Sequence, residues 1–244
     1  MSVTSLVEKY RKATGRVICE DFGQGGSGFF VNEEGLFLTN NHVISKPIIS
    51  AEGTIVLDYS KEIFVKTNEA IFPASIVIDE NADQPAVYDY AILKVVGAPY
   101  THIDIGDISQ VRQGESVIAI GYPSGFDLPI ATSGIVSAIL SRQSNLNSLH
   151  TMKTFLVDAF VTYGNSGGPL IRLSDGTAVG MITMPHEIRG ELRDKLEKHR
   201  ISSGAEVTQP IRDLIEYVFT YLHTGYNYAI SLEYAINDSK YKGA

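Results

Sequence analysis

The sequence of 244 residues predicts an all-β protein whose short strands form antiparallel barrels. Two observations support this fold class. Apolar segments rich in β-branched and aromatic residues recur along most of the chain, and turns rich in Gly, Asn and Asp separate them. Strands joined by such short turns pair in antiparallel fashion, whereas parallel βαβ units need a helix in each connection. The strands that we expect comprise residues 17–20, 28–31, 36–39, 54–57, 63–66, 74–78, 90–95, 117–123, 131–140, 170–173, 178–182 and 226–231.

Three other segments have a helical pattern. Residues 2–13 carry apolar side chains at helical spacing behind capping residues, which predicts a short N-terminal helix. Residues 187–200 are almost wholly charged and predict a solvated helix, whereas residues 211–222 place their apolar side chains on one face. Residues 226–231 alternate like a strand, so we expect a two-helix insertion at 185–225, between the last two strands and near the C-terminus.

The composition limits the partners and the compartment. A net charge of −8, from 20 basic and 28 acidic residues, argues against a nucleic-acid partner and against an anionic membrane surface. Cys19 is the single cysteine, so the chain has no internal disulfide and we expect a reducing compartment. Residues 1–13 lack the apolar core of a signal peptide, and no run of about 18 apolar residues occurs. We therefore expect a cytoplasmic protein.

Ser166 lies in a glycine-rich segment that suits a catalytic nucleophile. A serine hydroxyl is a weak nucleophile at neutral pH, so a hydrolase that uses one needs a base beside it and N–H donors for the developing oxyanion. Glycines at 164, 167 and 168 let the backbone approach a substrate carbonyl closely, so that several N–H groups can reach one oxygen. Taken alone, the segment fits a hairpin turn with an exposed serine equally well.

Two upstream residues favour the catalytic interpretation. His42 follows an apolar segment, and Asp89 stands at the head of a strand-like segment. The chain order His42, Asp89, Ser166 is that of the chymotrypsin-type triad. Asp79 and Asp83 are rival carboxylates, but both lie in a polar turn without a strand to hold them. Because the group that orients an imidazole has to be held rigidly, we prefer Asp89.

Two competing motifs fail on their context. Residues 164–168 also match the G-x-S-x-G nucleophile elbow, which requires a helix after the serine and catalytic partners downstream of it. Pro169 and the strand-like residues 170–182 contradict that requirement. His186 begins an apparent zinc-binding H-E-x-x-H motif, but Gly190 stands where the second histidine belongs. We therefore expect no metal and no cofactor.

Six short motifs occur in a fixed order along the chain. They are GSGFFV at 26–31, LTNNHVI at 38–44, DYAILK at 89–94, IGYP at 120–123, TSGIVSA at 132–138 and GNSGGPL at 164–170. Together they resemble the protease domain of the HtrA (Deg) serine proteases, over residues from about 13 to 184. The resemblance implies a trypsin-like fold of two six-stranded antiparallel β-barrels, with the catalytic triad in the cleft between them. Residues 1–106 would hold the N-terminal helix and the first barrel, and residues 107–244 the second, together forming one protease domain.

The resemblance also implies a function. The chain would be a serine endopeptidase that cleaves unfolded or misfolded proteins, with polypeptides as partners and with a homo-oligomer, a trimer in related proteases, as its assembly. Ser166 would attack the peptide carbonyl, His42 would transfer the proton, and Asp89 would hold the imidazole. The N–H groups of Gly164, Asn165 and Ser166 would form the oxyanion hole.

The substrate pocket follows from the same resemblance. Its floor is set by the residue about six positions before the nucleophile, here Phe160, and its wall by Ile182, Thr183 and Met184. None of these residues carries a carboxylate, and burying an unpaired cationic side chain is costly. We therefore expect the pocket to accept uncharged side chains of small or medium size, and to exclude Lys and Arg.

Two departures from the family leave alternatives open. Thr162 and Tyr163 replace the family's Asn-Pro ahead of Gly164, which predicts a less rigid loop and a hole that can be collapsed at rest. Few residues follow Ile236, so we expect no PDZ domain. The alternative function is a binding or chaperone-like module that keeps the fold but turns substrate over slowly or not at all.

Overall fold

The computed structural model describes residues 2–50, 55–77, 84–97, 99–144, 149–183 and 227–242. Within these residues the chain forms fourteen strands and several short helices. The strands are β1 Thr14–Cys19, β2 Gln24–Phe30, β3 Leu36–Thr39, β4 Ser45–Ile49, β5 Ile55–Tyr59, β6 Ile63–Lys66, β7 Ile71–Ile76, β8 Ala91–Val95, β9 Ser116–Gly121, β10 Ile130–Gln143, β11 Thr151–Val157, β12 Pro169–Arg172, β13 Thr177–Thr183 and β14 Asn227–Ser231. The helices are α1 Val3–Ala13, α2 Asn41–Ile44, α3 Gln84–Val87, a 3₁₀ turn Ile108–Gln110, α4 Glu233–Ile236 and α5 Ser239–Lys242.

Twelve of these strands close into two antiparallel barrels of six strands each. The first barrel has the order β1-β2-β3-β8-β7-β6, and the second has the order β10-β11-β14-β13-β12-β9. The predicted fold class, two six-stranded barrels with a short N-terminal helix, is confirmed. One difference is the hairpin of β4 and β5, which forms a separate two-stranded sheet. No strand was predicted at β4, where Pro47 pairs with Leu57; this sheet has only two strands, and a proline is tolerated in a strand at an edge.

Strand β3, most of β8 and the end of β2 at Phe29 and Phe30 are buried on both faces, which explains the apolar sequences there. Successive side chains of a strand point to opposite faces. In β3, Phe37 lies in the core of the first barrel, whereas Leu36 and Leu38 lie in the larger cluster that includes the second barrel. Phe29 and Phe30 of β2 divide in the same way. The two barrels therefore meet across an apolar interface, and the candidate residues of the site lie at its rim.

The N-terminal helix α1 packs against the second barrel. Its buried residues Leu6, Tyr10 and Ala13 belong to the larger core cluster, although the sequence analysis groups the helix with the first barrel. The Ser2 hydroxyl accepts a hydrogen bond from the Ser5 N–H and caps the helix, as expected. The helix therefore joins the two barrels as well as starting the chain.

The polar segment at 141–152 contains the ends of two strands, so its loop is shorter than the sequence suggests. Strand β10 continues to Gln143, β11 begins at Thr151, and these two residues pair with each other. Side chains on the outer face of a barrel alternate into solvent, so a polar strand end resembles a loop in sequence. The polar sequence of residues 141–152 predicts a loop over the whole segment, and this prediction is wrong at both ends of it.

The last two strands of the second barrel are neighbours. Thr183, at the end of β13, pairs with Tyr228 near the start of β14. The segment between them therefore connects adjacent antiparallel strands, as predicted for an insertion. The two helices expected at 185–225, together with Met184, lie outside the described residues.

Candidate active site

His42 and Asp89 form a close pair at the edge of the first barrel. His42 lies in the single-turn helix α2, which begins two residues after the end of β3. Asp89 lies two residues before the start of β8, the strand that pairs with β3 and places Ala91 opposite Thr39. Asp89 Oδ2 lies 2.9 Å from His42 Nδ1, and Asp89 Oδ1 accepts the His42 backbone N–H at 3.0 Å. A hydrogen on Nδ1 leaves Nε2 as the basic nitrogen of the imidazole. The pair is thus arranged for a general base.

Asp89 is held from several directions. It is the one non-glycine residue with a positive φ, 54°, among the described residues, a conformation that Asp tolerates better than most residues. The Asn40 side-chain amide donates to the Asp89 backbone carbonyl at 2.9 Å, and the Thr183 hydroxyl donates to Asp89 Oδ2 at 3.3 Å. A left-handed residue fixed by its surroundings is typical of functional sites.

The two neighbours of Asp89 are fixed by the C-terminal segment. The Tyr88 ring stacks on Tyr234 with centroids 4.1 Å apart, and the Tyr90 hydroxyl donates to Asp238 Oδ2 at 2.7 Å. Burial, together with this carboxylate, raises the pKa of Tyr90 far above its usual range, so the hydroxyl stays protonated as a donor. The short helices after β14 therefore support the loop that presents Asp89.

The His42 imidazole experiences two opposing effects. Its burial disfavours the charged form and by itself lowers the pKa. The negative charge of Asp89 and its hydrogen bond favour the imidazolium, and the net result is a pKa raised above 6.5. Such a histidine can take up a proton during a reaction and be stabilised while it carries the charge.

The segment before Ser166 forms a type II β-turn. The Asn165 N–H donates to the Thr162 carbonyl at 3.0 Å, and Gly164 has a φ of +91°. Tyr163 is not among the described residues with positive φ, so the positive value is confined to the third turn position, which defines type II. Glycine suits this position because it has no Cβ, and one at 164 would lie 2.3 Å from the Tyr122 carbonyl oxygen.

The peptide groups around Ser166 leave two N–H donors without a partner among the described residues. The Tyr163 carbonyl accepts the Ser124 N–H at 2.7 Å, and the Asn165 carbonyl accepts the Gly168 N–H at 2.9 Å. In a trans peptide the N–H points opposite to the carbonyl. The N–H groups of Gly164 and Ser166 therefore point away from these bonds, and neither donates to another described residue. Both are available to an oxyanion.

This geometry corrects two expectations. The Asn165 N–H closes the turn on Thr162, so it is not a third donor of the hole. The hole is also not collapsed in this structure, because the Tyr163 carbonyl is bound to Ser124 instead of turning inward. The Thr-Tyr sequence at these positions therefore does not prevent an open arrangement of the loop.

Gly26 brings the two halves of the site together. A Cβ at this position would lie 2.7 Å from the Ser166 carbonyl oxygen and 2.7 Å from Val43 Cγ2. The Ser166 backbone and the helix that carries His42 thus both pack closely against Gly26. Any side chain at this position would push the two apart.

His42, Asp89 and Ser166 line one cleft of about 520 Å³ between the barrels. Gly164 and Thr183 also line it. The remaining described lining combines apolar residues, among them Val43, Pro47, Leu57, Val87, Met152 and Ile230, with polar and charged ones, among them Gln24, Lys46 and Arg142. A cleft with apolar walls and a few convergent polar groups is the usual form of a substrate site.

The structure distributes the predicted pocket residues differently. Phe160 is 58% exposed and is not among the residues that line the cleft, so its assignment as pocket floor was wrong. Ile182 is fully buried in the core cluster and cannot face a substrate. Thr183 does line the cleft, but its hydroxyl is engaged by Asp89. Met184 lies outside the described residues.

Several residues of the site escape sequence reasoning. Thr183 and Asn40 hold Asp89, and Ser124 orients the Tyr163 carbonyl through its backbone. Ser27 donates its hydroxyl hydrogen to the Gly164 carbonyl. Ser27 and Asn40 stand inside motifs noted above, but their partners are distant in the chain, and no local pattern reveals a contact of that kind.

Two β-barrels around a cleft that holds a histidine–carboxylate pair, a serine and available backbone donors are the arrangement of the trypsin-like fold. The comparison with protein families agrees, since the trypsin-like peptidase domain family matches residues 26–181. The chain belongs to this family.

The chain is similar to curated HtrA proteases. It is 34% identical over 161 residues to the mitochondrial serine protease HTRA2 of Drosophila pseudoobscura pseudoobscura, and equally to that of Drosophila ananassae. The alignment covers 65% of this chain and 34% of each relative. The chain thus spans about a third of the length of these relatives.

Solved structures share the fold. The HtrA-type protease AlgW with a tripeptide superposes with a TM-score of 0.65 at 23% identity, over 97% of this chain and 62% of AlgW. An inactive serine-to-alanine variant of Rv3671c from M. tuberculosis superposes with a TM-score of 0.61 at 18% identity, over 94% of this chain and 86% of that one. At these identities the likeness concerns the fold alone.

None of the helices in the described part of the chain has the length and hydropathy that a bilayer crossing requires.

Proposed function

We propose that this chain is a serine endopeptidase that hydrolyses peptide bonds in unfolded or misfolded polypeptides. The observation that carries the proposal is one cleft lined by a hydrogen-bonded His42–Asp89 pair and by Ser166, whose loop leaves two N–H donors available. Membership of the trypsin-like peptidase domain family supports it. The two barrels act as one protease domain, because the site needs residues from both.

Acylation uses all of these groups. Ser166 Oγ attacks the carbonyl carbon of the substrate, and His42 Nε2 takes up the hydroxyl proton. The carbonyl oxygen becomes an oxyanion, which accepts hydrogen bonds from the N–H groups of Gly164 and Ser166. Asp89 stabilises the imidazolium. The C–N bond then breaks, the amine leaves with the proton from His42, and an ester to Ser166 remains.

Deacylation repeats the sequence with water. His42 Nε2 removes a proton from a water molecule, whose oxygen attacks the ester carbon. The same two N–H groups stabilise the second oxyanion. The bond to Ser166 Oγ then breaks, His42 returns the proton to it, and the carboxylic acid product leaves. Each histidine protonation is therefore temporary and is supported by Asp89.

The lining of the cleft supports an extended, apolar polypeptide as the substrate. Aliphatic side chains from both barrels line the cleft, so apolar segments of a substrate would bind there. Folded proteins rarely expose contiguous apolar segments, whereas unfolded ones do. Asp89 is the one carboxylate among the described residues that line the cleft, and His42 already engages it. This supports the expectation that substrate Lys and Arg side chains are disfavoured, since a buried cation needs a partner.

Compartment and assembly are further parts of the proposal. Cys19 is buried and forms no disulfide, so the fold does not depend on an oxidising compartment, which supports the cytoplasm as its location. A role in protein quality control and a homo-oligomeric assembly are implied by the likeness to HtrA proteases. Light scattering of the purified chain measures the number of copies.

The decisive experiment compares the wild-type chain with Ser166→Ala on casein, an unfolded substrate, and on a fluorophosphonate probe that reacts with activated serines. We expect casein degradation and labelling by the wild type and neither by Ser166→Ala, a loss of at least about 10³-fold. Ser75→Ala is the matched control, because Ser75 is exposed on β7 of the first barrel and lies outside the cleft.

Two results would contradict the proposal. Full casein degradation by a pure preparation of Ser166→Ala would exclude Ser166 as the nucleophile. A folded wild-type chain that neither degrades casein nor reacts with the probe would instead favour the chaperone-like module, which suppression of substrate aggregation would then demonstrate.

A further inference from the structure

Ser27 lies on β2 of the first barrel but contacts the Ser166 loop of the second barrel. Its side chain is fully buried. Its backbone N–H donates to the Ser166 carbonyl at 2.7 Å, and its hydroxyl donates to the Gly164 carbonyl at 2.6 Å. One residue thus holds, from across the barrel interface, the carbonyls of the two residues whose N–H groups face the oxyanion.

The same hydroxyl has a second partner. Ser27 Oγ accepts the Tyr122 N–H at 2.8 Å. Tyr122 lies two residues before Ser124, whose N–H binds the Tyr163 carbonyl and thereby orients the Gly164 N–H. The Ser27 hydroxyl therefore joins the segment of Tyr122 and Ser124 to the segment of Tyr163 and Gly164. The hydrogen bond between these segments, from the Ser124 N–H to the Tyr163 carbonyl, sets the direction of the Gly164 N–H.

The peptide groups next to Gly164 need hydrogen bonds from elsewhere to fix their direction, because Gly164 itself does not restrict it. A glycine at φ +91° has no side chain that would limit rotation of the adjoining peptide groups. The space around the hydroxyl is also filled, since a Cβ at Gly121 would lie 2.9 Å from Ser27 Oγ. Without the hydroxyl, the Tyr122 N–H and the Gly164 carbonyl would lose a buried partner, and the loop would shift to recover these bonds.

We propose that Ser27 is a positioning residue of the oxyanion hole. The inference rests on the proposed peptidase function. The hole contacts the oxyanion, which exists only in the tetrahedral states, so a misdirected Gly164 N–H raises the barrier without weakening substrate binding along the cleft. A hydroxyl with a merely structural role would affect stability and leave the kinetic constants in place.

The first test measures kcat and KM of Ser27→Ala with a peptide substrate. We expect kcat to fall about 10- to 100-fold, less than the loss of a whole donor, while KM stays within about twofold. Thr14→Val is the matched control, because the Thr14 hydroxyl is equally buried and donates to the Tyr10 carbonyl at 2.9 Å, and neither residue lines the cleft. We expect this control to keep the wild-type kcat.

The second test uses a peptidyl trifluoromethyl ketone, which forms a tetrahedral adduct with an active serine and carries an oxyanion. Its inhibition constant should weaken in Ser27→Ala by the same factor as kcat/KM, because it reports on the hole. The affinity of the cleft for the uncleaved parent peptide, measured in the Ser166→Ala background, should not change. Thr14→Val should alter neither value.

Each outcome decides the inference. Wild-type kcat and ketone inhibition in a folded Ser27→Ala protein would overturn the role of Ser27 while leaving the proposed function in place. A wild-type chain without Ser166-dependent activity would overturn both. If Ser27→Ala fails to fold, Ser27→Cys serves instead, because the larger thiol still fills the site while it donates and accepts hydrogen bonds more weakly. A lowered kcat with unchanged KM in that variant supports the inference, and a wild-type kcat overturns it.

Discussion

The two halves of the candidate site are held in different ways. The His42–Asp89 half lies within the first barrel, where one carboxylate contacts the imidazole and the backbone of the same histidine. The Ser166 half is made of peptide groups, whose directions depend on Ser124 and, from the other barrel, on Ser27. Side-chain chemistry determines the first half and backbone geometry the second. Substitutions in the two halves should therefore fail for different reasons.

The largest effect is expected for Asp89→Asn. An amide in place of the carboxylate stops stabilising the imidazolium and no longer favours the Nδ1–H tautomer, so kcat/KM should fall about 10³- to 10⁴-fold. The fold should persist, because Asn also tolerates the positive φ of this position. Steady-state kinetics beside circular dichroism measure both. A folded variant that loses less than about tenfold would show that this half does not depend on the charge.

A smaller effect is expected for Gly164→Ala in the other half. The new Cβ would lie 2.3 Å from the Tyr122 carbonyl oxygen at a φ of +91°, so the turn should shift and kcat should fall about 100-fold. Gly114→Ala is a matched control, because Gly114 has a φ of +90° and no neighbour within 4 Å of the added Cβ. It should lose about 1–2 kcal/mol of unfolding free energy and keep its kcat. Equal kcat losses in both variants would refute the argument from the close contact.

The pH dependence of kcat/KM separates the halves further. His42 acts as a base only when neutral, and its pKa is raised above 6.5, so activity should rise with pH through a limb above that value. In Asp89→Asn the raising effect of the charge is lost and burial remains, so the limb should move to lower pH. Gly164→Ala should keep the wild-type limb at a lower rate. A limb that stays in place in Asp89→Asn would contradict the assigned cause.

The smallest effect is expected for Tyr90→Phe. The variant removes the hydroxyl that donates to Asp238 and leaves the ring in the core, so the unfolding free energy should fall by about 1–2 kcal/mol. Activity should fall less than about twofold, because Asp89 keeps its own hydrogen bonds. Urea denaturation and peptide kinetics measure the two effects. A large loss of activity at unchanged stability would mean that the C-terminal segment controls Asp89 directly.

The sequence predicts a strand correctly wherever an apolar run or a clear alternation of apolar and polar residues marks it. Strands β3 and β8 and the end of β2 at Phe29 and Phe30 are rich in apolar residues and were predicted, as was β14 from its alternation. The method fails at β4, which contains a proline, and at the ends of β10 and β11, whose polar outer faces resemble a loop. In these cases the pairing partner is the adjacent strand of a hairpin, and the hydrophobic pattern does not reveal that pairing.

In the candidate site, too, residues within local motifs could be predicted, and residues whose role depends on distant contacts could not. His42, Asp89 and Ser166 could be predicted because each belongs to a local motif, and the structure brings them to one cleft. Phe160 was misassigned because its count from the nucleophile says nothing about where its side chain points. The role of Ser27 could not be predicted, since a hydroxyl that binds a carbonyl 137 residues away leaves no trace in a local pattern.

The most direct test of the account is to locate the fluorophosphonate adduct by peptide mapping and mass spectrometry. The chain contains many serines, and only one with a base and a hole beside it should react. We expect a single adduct on Ser166 in the wild type, formed faster as the pH rises through the His42 limb, and no adduct in His42→Ala. An adduct on another serine, or equal labelling of Ser166 in His42→Ala, would contradict the proposal that His42 activates Ser166.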